Sequence, residues 1–386
     1  MKTYDFVIFI SIVLTIYISV HTYIFMRGWQ ALPASSVLRF LYCVIFIFMG
    51  LTYIAGRITE NISVCAASDF FIWTGSFWLG LILYLFLFAV FFDIIRLADH
   101  FFTLYPPLIR NNYQYVKAAA ALFSLTATII IVAAGHINTL HPRITTVSLH
   151  IPKSAGTVNT MNIVLATDIH LGTIISNSRV DTLVHSINSC DPDIVLLGGD
   201  IVDEDLKPVI ENNMGDMLLK IKSKHGIFAI TGNHEYIGGA DSACRFMREH
   251  GITVLRDEYV LIDKSIILVG REDLSKNRFT GIKRKTLKTI LDGADMNYPV
   301  ICMDHQPFML DEAAGNGVDL QLSGHTHAGQ LWPFNYIVDM IYQVGKGYAR
   351  IGNTHFFVST GFGTWGPPVR TGNRPEIVQI KLKFRE

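Results

Sequence analysis

The sequence predicts two unlike parts, an all-α membrane region of about four helices followed by an α/β domain. Three observations carry that prediction. The chain of 386 residues is 50% hydrophobic, and the excess is concentrated in its first third. Beyond it, short apolar runs alternate with helix-like segments. Five short motifs rich in Asp, His and Asn then follow such runs, in order along the chain.

The membrane region comes first, over residues 1–142. Apolar stretches near 6–26, 40–55, 71–95 and 118–134 sit at or near the roughly 20 residues that a helix needs to cross a bilayer. The third has Trp73 and Trp78 toward one end and Asp93 and Arg96 at the other, as interfacial anchoring requires, and Gly75, Ser76 and Gly80 would let a neighbouring helix come close. A soluble helical bundle is the alternative, but the first and third runs outlast ordinary core helices. A cleaved leader is a poorer fit, because no small-residue cleavage site directly follows Met26 and three more apolar runs do. Arg27, Arg39, Arg96, Arg110 and Lys117 fall in the loops after spans one and three, against Lys2, Arg57, Arg143 and Lys153 on the other side. That small difference leans toward an external C-terminal domain.

Residues 143–386 hold 25 basic and 27 acidic residues, with no clustered positive charge of the kind a nucleic-acid surface needs. The five cysteines show no paired spacing, which argues against a disulfide framework or a zinc ribbon. A Pro/Gly/Ser-containing linker is expected between about 134 and 162, with a β-like run at 145–149 inside it. Strands are expected at 162–167, 194–197, 227–231, 266–269, 300–303, 320–323, 356–359 and 377–382, and helices at 179–188, 205–223, 240–250 and 284–292.

The motifs are Asp168-Ile169-His170, Gly199-Asp200-Ile201-Val202-Asp203, Gly232-Asn233-His234-Glu235, His305, and Gly324-His325-Thr326-His327. Each follows a strand-like run, and in open α/β sheets ligands collect beyond the carboxyl ends of strands. Mixed oxygen and imidazole donors suit Mn, Fe or Zn better than Ca. In this order the motifs resemble the calcineurin-like metallophosphoesterase family, over roughly residues 160–386. The segment from Gly361 to Arg370, with Arg374-Pro375-Glu376 and Gly329-Gln330, resembles the bacterial branch that includes YkuE- and YaeI-like phosphoesterases.

The resemblance implies a sandwich of two mixed β-sheets flanked by helices, and a phosphoesterase with two divalent metal ions. By it, Asp168, His170 and His327 would hold one ion, Asn233, His305 and His325 the other, and Asp200 would bridge them. His234 would be the catalytic histidine that meets the phosphoryl group, while Asp203 is not carried as a ligand and would orient its neighbours. Arg370 is a weak candidate for a substrate phosphate, with a surface ion pair as the alternative, and Tyr236, Trp332, Phe334, Tyr336 and Trp365 either line a groove or pack loops. The expected partners are a phosphoester substrate, which proximity to lipid suggests is lipid-linked, and the membrane itself, that of a bacterial cell crossed several times. The competing reading is a non-catalytic metal-binding membrane sensor or scaffold.

Overall fold

A computed structural model describes residues 3–385; Met1, Lys2 and Glu386, which the sequence expectations touch, lie outside the described residues. Two compact units result. One runs to His136 and includes Gly366–Val369, and the other comprises the remaining chain from Ile137.

In the first unit the helices Thr3–Ala31, Ser36–Ile62, Ala66–Phe102 and Tyr113–Thr139 are long and apolar enough to cross a membrane. Each outruns its predicted apolar window, because helix-compatible polar residues such as Arg57, Glu60 and Asp99 carry the backbone pattern past the hydrophobic stretch. Ile16, Ile18, Phe40, Ile45, Leu122 and Ile130 face outward and are exposed. A helix coat of that kind is costly in water and matched in hydrocarbon, so it marks a membrane protein. Polar contacts join the first and third helices at Trp78, whose Nε1 donates to His21 Nε2 at 3.0 Å, and at Asp93, which accepts from Tyr23 Oη at 2.6 Å and pairs with Arg27 at 2.5 Å.

The second and third helices meet backbone to backbone. Gly56 faces the amide of Ile72, where an added Cβ would lie 2.7 Å from the nitrogen, and Gly75 lies even closer to the backbone of Tyr53. Small residues at a membrane helix crossing permit this approach.

The second unit contains β1 (Arg143–Ser154), β2 (Thr160–Ala166), β3 (Ile194–Leu197), β4 (Ile227–Ala229), β5 (Ile252–Val254), β6 (Glu258–Ile262), β7 (Ile266–Gly270), β8 (Val300–Met303), β9 (Leu320–Ser323), β10 (Gly347–Ile351), β11 (Thr354–Val358) and β12 (Glu376–Arg385). They form two six-stranded mixed sheets, ordered β1-β12-β2-β3-β4-β5 and β10-β11-β9-β8-β7-β6. Within each, β2 to β5 and β7, β8, β9 and β11 run parallel. Both faces of these strands are buried except at the edge strand β5, where Thr253 is exposed, and the period-2 alternation assigns each residue to a layer. Ile163, Leu165, Leu196, Leu268, Ile301 and Leu322 meet between the sheets. Val164, Val195 and Leu197 turn the other way, toward Leu183, Ile187 and Met247 of the helices Asn177–Ser189 and Ala240–Glu249. On the far face of the second sheet, Val269 and Cys302 pack with Leu287, Ile290 and Leu310. The result is a helix–sheet–sheet–helix sandwich.

Several expectations are corrected. The predicted linker is largely β1, a 12-residue edge strand paired in parallel with β12, and an edge position tolerates its Pro152. The helix expected at 205–223 splits into Lys207–Glu211 and Met214–Leu218 because Asn213 adopts a left-handed φ of 52°. That expected at 284–292 shrinks to Leu287–Ile290, capped by Thr286. The short strands β5, β6 and β10 lay outside the expectation.

Replacing Gly75 by leucine should force the second and third helices apart and cost about 1–3 kcal/mol, the range for overpacking. Thermal unfolding in detergent measures it, and an unchanged midpoint would mean that this crossing is not a tight contact.

Candidate metal centre

All five motifs lie just past the carboxyl ends of parallel strands, after β2, β3, β4, β8 and β9 respectively. The backbone there is unusual. Asp168, His170, Asp200, His325 and His327 have φ values of 52°, 53°, 50°, 71° and 46°, a left-handed cluster that a non-glycine chain holds only where surrounding contacts enforce it. Gly199, at φ 90°, leaves no room for a side chain, since a Cβ would sit 2.7 Å from His305 Nδ1. Gly324 similarly makes space for the Asp168 carboxylate.

Three groups of donors converge, each with its ligand atoms within 4.8 Å of one another: Asp168, His170 and His327; Asp200, His305 and His325; and His170, Asp203 and His234. The Nε2 atoms of His170 and His327 are 3.1 Å apart, and His327 Nε2 is 3.5 Å from Asp168 Oδ1. His305 Nε2 lies 3.1 Å from Asp200 Oδ2. Backbone amides hold both carboxylates, His234 N donating to Asp200 Oδ1 and His325 N to Asp168 Oδ1, each at 2.8 Å. His305 Nδ1 sits 2.8 Å from the Gly198 carbonyl, which fixes the ring with its Nε2 toward Asp200.

The donor set fits metal ions. Asp168 Oδ2 and Asn233 Oδ1 are buried with no hydrogen-bond partner among the described residues. Leaving a buried acceptor unpaired costs about 1–3 kcal/mol, and a cation is what such oxygen lone pairs beside the clustered Asp and His donors would satisfy. Burial, then the neighbouring His305, push His325 down to about 3, and burial with Arg370 holds His327 well below its usual value. Both imidazoles are therefore neutral near pH 7, the form in which histidine ligates a metal.

His234 differs. Burial would lower it, but Asp203, whose Oδ1 is 3.0 Å from His234 Nδ1, and Asp200 together push it up to about 9. Asp203 Oδ1 is also 3.5 Å from His170 Nδ1, so this carboxylate orients two rings at once.

Arg370 does not form a surface ion pair, and that expectation is corrected. It is 0% exposed. Its guanidinium donates to the carbonyls of Gly363 and Thr360 and to Asn373 Oδ1, and reaches His327 Nδ1 at 3.0 Å. It braces the His327 ring from behind. Tyr236 is a packing residue too, its hydroxyl bonded to Glu272, whereas Trp365 is exposed with its ring 6.2 Å from that of His234. The motif pattern assigns Glu235 no role of its own. Its buried carboxylate accepts from the amides of Asp200, Ile201, Val202 and Gly232 at 2.7–3.0 Å, tying the second motif to the third. Its place in Gly-Asn-His-Glu was the available signal.

Residues 161–329, which include every motif above, match the family described as calcineurin-like phosphoesterase. The chain is 35% identical over 228 residues to an uncharacterised metallophosphoesterase of Helicobacter pylori, covering 58% of this chain and 60% of the relative. Over 225 residues it is 33% identical to another from Aquifex aeolicus, covering 58% of this chain and 85% of that protein. A transmembrane protein with metallophosphoesterase domain from Bos taurus is 30% identical over 276 residues, 67% of this chain and 62% of the relative. The chain thus spans about 60% of the length of the Helicobacter and Bos relatives. On the match across these motifs, it belongs to the calcineurin-like metallophosphoesterase family.

Proposed function

We propose that the protein is a membrane-anchored phosphoesterase that hydrolyses a phosphodiester, pyrophosphate or phosphomonoester bond at a dinuclear metal centre. The observation that carries this reading is the clustering of Asp168, His170 and His327 and of Asp200, His305 and His325 at the strand ends, with unpaired buried oxygens on Asp168 and Asn233 and neutral imidazoles at His325 and His327. Asp168, His170 and His327 would hold one ion, Asn233, His305 and His325 the second, and Asp200 would bridge. When bound, divalent ions of the Mn, Fe or Zn type supply Lewis acidity and activate water as the nucleophile.

The chain's own residues do the rest. The Asp203 carboxylate fixes the His234 ring through Nδ1, which leaves the other ring nitrogen and its proton free for the substrate. Water's oxygen bonds to phosphorus as the ester P–O bond breaks. The leaving oxygen takes its proton from His234, and water's displaced proton passes to solvent. Buried backbone amides keep the two central carboxylates from shifting while charge moves.

Asp200→Ala and Asn233→Ala should each abolish turnover of a nitrophenyl phosphodiester by metal-stripped protein refilled with Mn, Zn or Fe, with metal content read by mass spectrometry. Full activity in both variants would sink the assignment, and full metal occupancy of the natural protein without turnover on a broad ester panel would favour a sensor.

His234→Ala should slow esters with alkyl leaving groups by about 10²–10⁴-fold, the usual contribution of a general acid, and nitrophenyl esters far less. Asp203→Asn should show the same leaving-group bias in weaker form. Equal losses on both substrate types would assign His234 to structure instead of proton transfer.

A further inference from the structure

The helix Phe334–Ile341 is eight residues long and buries none of them. Phe334, Tyr336, Ile337, Met340 and Ile341 are exposed, as is Trp332 just before it; Met340 reaches 78% and Ile341 58%. A helix this short is marginal in water by itself. An apolar patch of this size on a soluble surface marks a contact with something apolar.

The segment is fastened to the metal centre. Thr326, between the two histidines of the last motif, donates from Oγ1 to the Gly345 carbonyl at 2.7 Å. Tyr342, directly after the helix, sets its ring 6.3 Å from that of His325 and 4.7 Å from that of Phe308. Whatever covers the helix is therefore held beside the ligands.

We propose that Trp332 and the helix Phe334–Ile341 form an interfacial surface that dips into a lipid bilayer and presents lipid-borne phosphoesters to the centre. This deepens the phosphoesterase reading and rests on it for the substrate class. Lipid is the occupant the chain itself keeps near, because the same polypeptide carries four helices of membrane-crossing length and tethering fixes a high local concentration. Trp332 and Tyr336 among aliphatic residues are the mixture that favours the head-group region. The nearby charges are Asp339 against Lys346 and Arg350, too small a surplus for electrostatic docking, so apolar insertion is the force.

The test uses the full chain reconstituted in phosphatidylcholine vesicles, with Cys43 and Cys65 replaced by serine and a nitrobenzoxadiazole label on Met340→Cys. Quenching by doxyl-chain phosphatidylcholine and protection from iodide are expected. A label open to iodide and untouched by the lipid quencher would overturn the surface, and would leave the helix to a protein partner. A second arm compares vesicle-borne phosphatidylglycerol, phosphatidic acid and diacylglycerol pyrophosphate with a soluble nitrophenyl diester. In Met340→Asp/Ile341→Asp, the ratio of lipid to soluble turnover should fall by about tenfold or more. Misfolding lowers both rates together, so the ratio isolates lipid delivery, and an unchanged ratio would overturn that delivery. Natural protein that cleaves the soluble ester and none of the three lipids would overturn the substrate class. Absence of all turnover would overturn the phosphoesterase reading, while the label alone still decides insertion.

Discussion

Two carboxylates with almost no access to water, Asp168 at 0% and Asp200 at 2% exposure, are the constraint around which the α/β unit is organised. A buried carboxylate is tolerated only when donors or cations answer it. Here the donors are backbone amides, and aiming them requires the turns after β2, β3 and β9 to run through left-handed conformations. Glu235 imposes the same demand a second time, collecting four amides from two loops. The sandwich supplies the rigid platform that holds such backbone in place, and the unanswered lone pairs left over are the metal-binding capacity.

Much of this could be read in advance, for a physical reason. Parallel strands buried on both faces are written as continuous apolar runs, so β2, β3, β8 and β9 stood out, and the ligand candidates stood directly behind them. What could not be read depends on partners far away in the chain. β5 is three residues long and exists only because Ile227–Ala229 offers it an edge, and β1 looked like a linker because its partner is β12. Arg370 was ambiguous for the same reason. An arginine in a Gly/Pro-rich loop reads as surface until the Gly363 and Thr360 carbonyls and Asn373 are folded around it.

The second tier of the site shows how few groups act alone. Asp203 serves two rings, Arg370 and Asn373 together brace His327 through its ring and its carbonyl, and Gln306 is gripped by both oxygens of the buried Asp273 beside His305. Outer partners of this kind set ring orientation and ligand basicity. In the membrane unit the equivalent economy is Asp93, which ties the first and third helices through Arg27 and Tyr23.

The place of β12 in its sheet has a consequence for how the chain is made. β12 lies between β1 and β2 yet is the last of the twelve strands to be synthesised. Until it emerges, β1 has no neighbour and β2 lacks one edge, while the four apolar helices are already complete. Anchoring therefore precedes closure of the sandwich, and the nascent domain waits with an open slot whose filling requires contacts between distant parts of the chain, the slow kind to form. A break between Val254 and Glu376 would leave an anchored protein whose first sheet is divided at its second position.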